Sequence, residues 1–225
     1  MGWMQLLALD TSLGACSVAL WRDGAVIAGE RRPMAKGHAE ALVPLIEQVC
    51  AQAGADLLHL DAIGVTRGPG TFAGIRIGLA TARGLALATG CPVIGVSTLV
   101  AIAATAALPP DPASVLVVQD ARRGEVYAEC IPAGSDRGNG PQVMVADDLA
   151  AAFPERPLRL VGSGADIAAE RLTGAVTIAA REILPDAAVV AALAAAQLEA
   201  QGAGAFGVPP GPLYLRAPDA KLPTR

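Results

Sequence analysis

Apolar residues fall in short blocks near the start of the chain and in longer helix-spaced series after it. Leu6-Leu7-Ala8-Leu9 is a continuous apolar run that stops at Asp10-Thr11-Ser12, with Leu13-Gly14 completing a turn. Residues 16–21 read as a second strand, Arg22-Asp23-Gly24 as a hairpin turn and residues 25–29 as the start of a third strand. The opening therefore predicts a β-meander. Leu42, Leu45, Ile46 and Val49 then recur at helical spacing over 38–53, the signature of an amphipathic helix. Pro44 lies inside that series and lacks a backbone donor, which predicts a kink or a late helix start. A strand at 60–66, a helix at 71–88, a short strand at Val93-Ile94 and an alanine-rich helix from Thr98 complete this half.

Leu108-Pro109-Pro110-Asp111-Pro112 interrupts the pattern, and strands begin again after it. Residues 114–119 form one and residues 125–131 alternate as the next, with Val126, Ala128 and Cys130 on one face. Asp120-Ala121-Arg122-Arg123-Gly124 is the turn between them. A glycine-rich polar loop covers 132–141, a strand 158–161, a turn and short helix the residues from Gly162, a helix 185–199, and an extended segment 212–216. A meander followed by strand–helix alternation, twice over, predicts two α/β lobes, 1–108 and 109–225. The helix at 185–200 is a candidate to pack back on the first lobe. No sequence repeat relates the two halves.

Glycine is most informative between Thr66 and Gly78. Gly68-Pro69-Gly70 turns the chain where a strand becomes a helix, and Thr71 stands at the helix cap. Gly70, Gly74, Gly78, Ala82 and Ala86 then recur every four residues, leaving a bare stripe on one helix face. Glycine costs about 1 kcal/mol at an interior helix position, so the stripe asks for close approach of another backbone. That backbone belongs either to the same domain or to a partner. The partner reading assigns an interface to His38, Leu42, Leu45, Val49, Gly70, Gly74, Gly78 and Ala82, with Phe72, Ile75 and Leu79 turned to the domain's own sheet.

Composition narrows the function. Hydrophobic residues are 53% of the 225 and charged ones 17%, which excludes a disordered chain. The longest apolar stretch, 93–108, is broken by Gly95, Ser97, Thr98 and Thr105 and is too short to span a bilayer. The first residues lack a signal peptide's basic flank, so a cytoplasmic protein is expected. A net charge of −4 argues against a chain that grips nucleic acid by itself. Cys16, Cys50, Cys91 and Cys130 are scattered, as structural cysteines of a reducing compartment are.

Catalytic groups are few. His38 and His59 stand in no metal-ligand spacing, and the chain has no nucleophile elbow or Walker loop. Asp10-Thr11-Ser12, Gly68-Pro69-Gly70 and Gly162-Ser163-Gly164 could each cradle a phosphate through backbone N–H groups, or be plain turns. The last departs from a dinucleotide fingerprint because Ile167 replaces its third glycine. An Asp-Thr-Ser hairpin opening with a glycine turn in each lobe is similar to the two-lobed actin, Hsp70 and sugar-kinase architecture.

The combination resembles the TsaB family, bacterial proteins needed to make threonylcarbamoyladenosine on tRNA. The matching segments are 7–20, 38–46, 66–78, Gly95-Val96-Ser97-Thr98-Leu99, the run from Asp120 to Tyr127, and Pro212-Leu213-Tyr214-Leu215-Arg216. The catalytic relative TsaD carries a His-Met-Glu-Gly-His metal motif after its Gly-Val-Asn; here Gly95-Val96 leads into Ser97-Thr98-Leu99-Val100-Ala101-Ile102, whose side chains hold no divalent cation. The resemblance implies an actin-like fold with a degenerate active site, no metal, and vestigial phosphate loops at Asp10, Thr11, Ser12, Gly162, Ser163 and Gly164. It implies a non-catalytic scaffold that binds TsaD through the first lobe, is joined by TsaE, contacts tRNA only through the complex, and dimerises when alone. ATP or ADP is expected only at an interface shared within the complex. The alternatives are an active sugar-kinase-like enzyme, with Asp10 and Asp120 flanking Mg-ATP, and a stand-alone peptidase.

Overall fold

Strand β1 (Gln5–Asp10) is buried along its whole length because it is the centre of a five-stranded sheet covered on both faces. A computed structural model describes residues 4–135 and 137–216. Around β1 the order is β3 (Ala25–Pro33), β2 (Ala15–Arg22), β1, β4 (Ala62–Thr66), β5 (Val93–Val96). The meander strands pair antiparallel, and β4 and β5 add in parallel. The second sheet repeats this plan with β8 (Gln142–Val145), β7 (Glu125–Ile131), β6 (Ser114–Asp120), β9 (Leu158–Val161) and β10 (Val176–Ala180). The two five-stranded sheets with their helices form the α/β architecture expected.

One face of the first sheet is covered by α1 (His38–Ala53) and α2 (Phe72–Thr89), whose Leu42, Leu45, Val49, Ile75 and Leu79 pack on Leu7, Leu9, Val18 and Leu20. The opposite face receives α6 (Ala187–Gln201), an alanine-rich helix that meets Leu6, Ala8, Ala19 and Ile94 through Val190, Ala191 and Ala194. That helix follows the second sheet in sequence. Its counterpart α3 (Thr98–Thr105) follows the first sheet, yet Leu99 and Ile102 pack on Val117, Ile131 and Val161 of the second. Each half thus lends a helix to the other's sheet. The outer face of the second sheet is closed by α4 (Leu149–Ala152) and α5 (Ala165–Arg171). The proline break at 109–112 separates the sheets in sequence but not the layers in space.

Local chemistry explains the element ends. Thr71 accepts the N–H of Gly74 at the start of α2, Ser97 that of Val100 at α3, and Asp186 that of Ala188 at α6, as helix caps do. α1 runs without a break through Pro44. Edge strands β8 and β10 carry only half-buried and exposed residues, so neither shows as an apolar run, and the sequence reading passes over both. Among the described residues no helix is long and apolar enough to cross a membrane.

Gly64 on β4 sets the seat of α6: a Cβ there would lie 2.9 Å from the Cβ of Ala194 and 3.4 Å from the Val190 carbonyl. Gly64→Val should lift α6 and cost about 1–3 kcal/mol. The check is a lower denaturant midpoint with an unchanged m-value.

Candidate functional site

The end of β1 delivers Asp10 to the junction of the hairpin and the α2 turn. Its side chain is fully buried, and Oδ1 accepts from Ser12 Oγ at 2.6 Å, Thr66 Oγ1 at 2.6 Å and the Ser12 N–H at 3.2 Å. Oδ2 is buried with no partner. Burial raises the carboxyl from 3.8 to about 6, against the downward pull of the Ser12 and Thr66 bonds and, more weakly, of His38. Next to it, Thr11 Oγ1 donates to the Gly74 carbonyl at 2.7 Å and the Ser12 carbonyl accepts the Thr71 N–H at 2.8 Å. Leu13 turns into the apolar layer around Leu99 and Ile102, and its carbonyl accepts from His38 Nε2 at 3.1 Å.

The glycine stripe is the other side of these contacts. A Cβ on Gly74 would sit 2.0 Å from the Thr11 carbonyl oxygen, one on Gly70 2.5 Å from that of Ser12, and one on Gly78 2.8 Å from Thr11 Oγ1. The close approach is therefore to the chain's own hairpin loop, which corrects the partner reading of this stripe. Ala82, Leu42, Leu45 and Val49 are completely buried in the first core, and His38 is 9% exposed and bonded to the loop. The stripe faces inward because only glycine lets the first turns of α2 meet a carbonyl oxygen at that distance. Phe72 is corrected too: it stays 55% exposed while Ile75 and Leu79 go to the core.

In the second half, Gly162 and Gly164 donate their N–H groups to the carbonyls of Ala180 and Val118. A Cβ on Gly162 would reach within 2.4 Å of the Val118 oxygen and one on Gly164 within 2.7 Å of its Cγ1. Ser163 Oγ donates to Gln119 Oε1 at 2.7 Å and accepts the Asp120 N–H at 3.2 Å. Asp120 caps its own turn through the Arg122 N–H at 2.7 Å. In both loops the hydroxyls of Thr11, Ser12 and Ser163 are bonded within the protein itself. Among the described residues no group of three His, Cys, Asp or Glu side chains could hold a metal ion.

Two features carry polar chemistry that sequence reading assigns no role. The segment 210–216 straps the two halves. Its Leu213 N–H reaches the Arg67 carbonyl at 2.7 Å, and the Pro210 carbonyl accepts from Arg83 at 2.8 Å. Tyr214 stacks on Phe72 at 5.4 Å between ring centroids and accepts from Arg76 Nε at 2.7 Å. Arg216 pairs with Glu125 and donates to the Ala121 carbonyl at 3.0 Å. The second feature is Glu129, 2% exposed, whose carboxyl burial pushes up. The signal for Glu129 was available: it shares a phase with Tyr127 and Ile131, opposite Val126 and Ala128.

Comparison with known proteins places this geometry. A family model described as tRNA N6-adenosine threonylcarbamoyltransferase, TsaD, matches residues 32–131. The TsaB protein of Escherichia coli, named for tRNA threonylcarbamoyladenosine biosynthesis, is 44% identical over 125 residues, 55% of this chain and 53% of that protein. The structure of YeaZ from Pseudomonas aeruginosa superposes with a TM-score of 0.79 at 32% identity, covering 94% of this chain and all of that one. The chain belongs to the TsaB family. It spans about half the length of the curated TsaB relatives it matches. An Arthrobacter polyphosphate/ATP-glucomannokinase aligns over 88% of the chain with a TM-score of 0.52 at 14% identity, which shows a shared sugar-kinase-type fold and no more.

Three substitutions separate the buried junction from the open side of α2. Gly74→Ala should cost at least about 3 kcal/mol or prevent folding, because backbone must move. Gly84, at an open position on the same helix, should gain about 0.5–1 kcal/mol as Gly84→Ala; paired melts decide both. For Asp10 the folded carboxyl binds its proton more tightly than the unfolded one, so its contribution is present at low pH. That contribution is lost as pH rises from about 4 through about 6, with the sign set by linkage. Asp10→Asn should therefore be more stable than the parent at pH 8 by about 2 kcal/mol, with the gap closing at pH 4.

Proposed function

We propose that this chain is a non-catalytic partner of TsaD in threonylcarbamoyl transfer to adenosine 37 of tRNA. The observation that carries the reading is the filled hairpin loop. Where a sugar-kinase-like protein would cradle phosphate, the Thr11 and Ser12 backbone is held against Gly70, Thr71 and Gly74. Asp10 Oδ1 and Asp120 Oδ1 each accept an N–H of their own turn, and Asp10 is completely buried, which counts against the kinase alternative. The His38 imidazole near Asp10 is buried and turned to the Leu13 carbonyl, which counts against a peptidase base. The reading assigns no cofactor to this chain and puts ATP or ADP at an interface shared within the complex. TsaE joins that complex, and tRNA is reached through TsaD, in keeping with a net charge of −4.

With the glycine stripe turned inward, the docking face is the outer side of α1 and α2. On these two helices Val43 and Leu87 are 51% and 89% exposed, and Ala39, Ala80 and Gly84 are exposed as well. Small exposed residues on neighbouring helices leave a shallow surface that a helix pair can approach, and exposed apolar side chains supply the buried area. The same surface serves TsaD and a second copy of the chain, so the two compete.

Gly84→Arg is the discriminating variant, since nothing lies within 4 Å of its Cβ and the fold has room for it. Co-purification with TsaD and self-association should both be lost, and tRNA modification in a reconstituted system should fall more than about tenfold. Normal TsaD capture by Gly84→Arg would remove α1 and α2 as the docking face. Full tRNA modification by TsaD without this chain would remove the scaffold role itself.

A further inference from the structure

Between the two halves, on the side of α6, lies a cavity of about 350 Å³. Its walls come from β5, α3, β7, α6 and the loop after β7. Val96, Val100 and Leu193 give it an apolar side, and Ser97, Glu129 and Arg137 a polar one. Glu129 lies in its wall at 2% exposure. One oxygen, Oε2, accepts from Ser97 Oγ at 2.7 Å, and the Gly140 N–H also bonds the carboxyl. Those two donors leave carboxylate lone pairs unused, since an ionised carboxylate offers about four acceptor positions. Gly138 is seated against the same side chain, where any Cβ would clash with it.

We propose that this cavity binds a small zwitterion of the α-amino acid class, with its ammonium on Glu129, its carboxylate on Arg137 and an aliphatic body against Val96, Val100 and Leu193. A buried acid favours a cationic partner strongly, because its charge is poorly solvated and a paired charge relieves that cost. A simple cation is disfavoured because Arg137, an exposed residue, lines the same space, and a guanidinium takes a carboxylate in paired geometry. A ligand carrying both charges satisfies both ends. The aliphatic wall sets the class further, since three apolar side chains reward a branched or linear hydrocarbon body of a few carbons. The site is separate from the Asp10 loop and from the outer face of α1 and α2, so it stands whether or not the chain binds TsaD.

Isothermal titration of the full chain with L-valine, n-butylammonium and butyrate tests this. L-Valine should bind saturably with Kd below about 1 mM, and each single-charge analogue at least about tenfold more weakly. Glu129→Gln keeps an acceptor for the Ser97 hydroxyl at the same volume, so it should fold, and it should lose the L-valine heat. Ala196→Leu, which enlarges a residue of the α6 wall, should lose it as well, and it serves if Glu129→Gln does not fold. Arg137→Ala should weaken L-valine about tenfold and leave n-butylammonium no weaker. No saturable L-valine heat up to about 10 mM, unchanged binding in Ala196→Leu, or n-butylammonium binding as tightly as L-valine would each overturn the proposal.

Discussion

Everything at the junction of this protein depends on one approach distance, that between the α2 backbone at Gly74 and the carbonyl oxygen of Thr11. A side chain at that position would occupy the carbonyl's own space. Because Gly70, Gly74 and Gly78 have none, the first turns of α2 lie flat on the hairpin loop. Thr11 and Ser12 then bond to α2 directly. Asp10 is sealed beneath them with Ser12 and Thr66 on one oxygen. A loop that could face a ligand becomes part of the core, and the face of α2 opposite the glycines is the one left to solvent.

A second constraint holds the halves in register. α3 leaves the first sheet to pack on the second, and α6 leaves the second to pack on the first. Separating the halves would expose both sheets' inner faces, which is a far larger loss than a linker would impose. The segment 210–216 adds polar ties, from Arg67, Arg76 and Arg83 on one side to Ala121 and Glu125 on the other. Joined this way, the two sheets and their helices share one packed interior.

Much of the fold was legible because its strong elements have strong periodicity. Residues 38–53 and 72–89 announce their helices by apolar spacing and by glycine, and β7 and β9 appear at the bounds their patterns predict. The edge strands β8 and β10 did not, since a half-exposed strand of four or five residues has little pattern to read. The glycine stripe showed that something approaches closely but not what does so. Sequence spacing fixes which residues share a helix face and leaves the direction of that face open. Here the hairpin loop, about sixty residues away in the chain, supplies the partner backbone. Phe72 was misplaced for a related reason: Tyr214 and Arg76 hold it at the surface, a contact across the length of the chain.

Amide hydrogen exchange of this chain, alone at dilution and with TsaD in excess, tests the account most directly. TsaD should slow exchange in peptides covering α1 and the outward turns of α2 near Ala80, Gly84 and Leu87, while the Asp10-Thr11-Ser12 loop, already closed by α2, changes little. Protection centred on β3, on the second sheet or on the hairpin loop, with α1 and α2 unchanged, would contradict it.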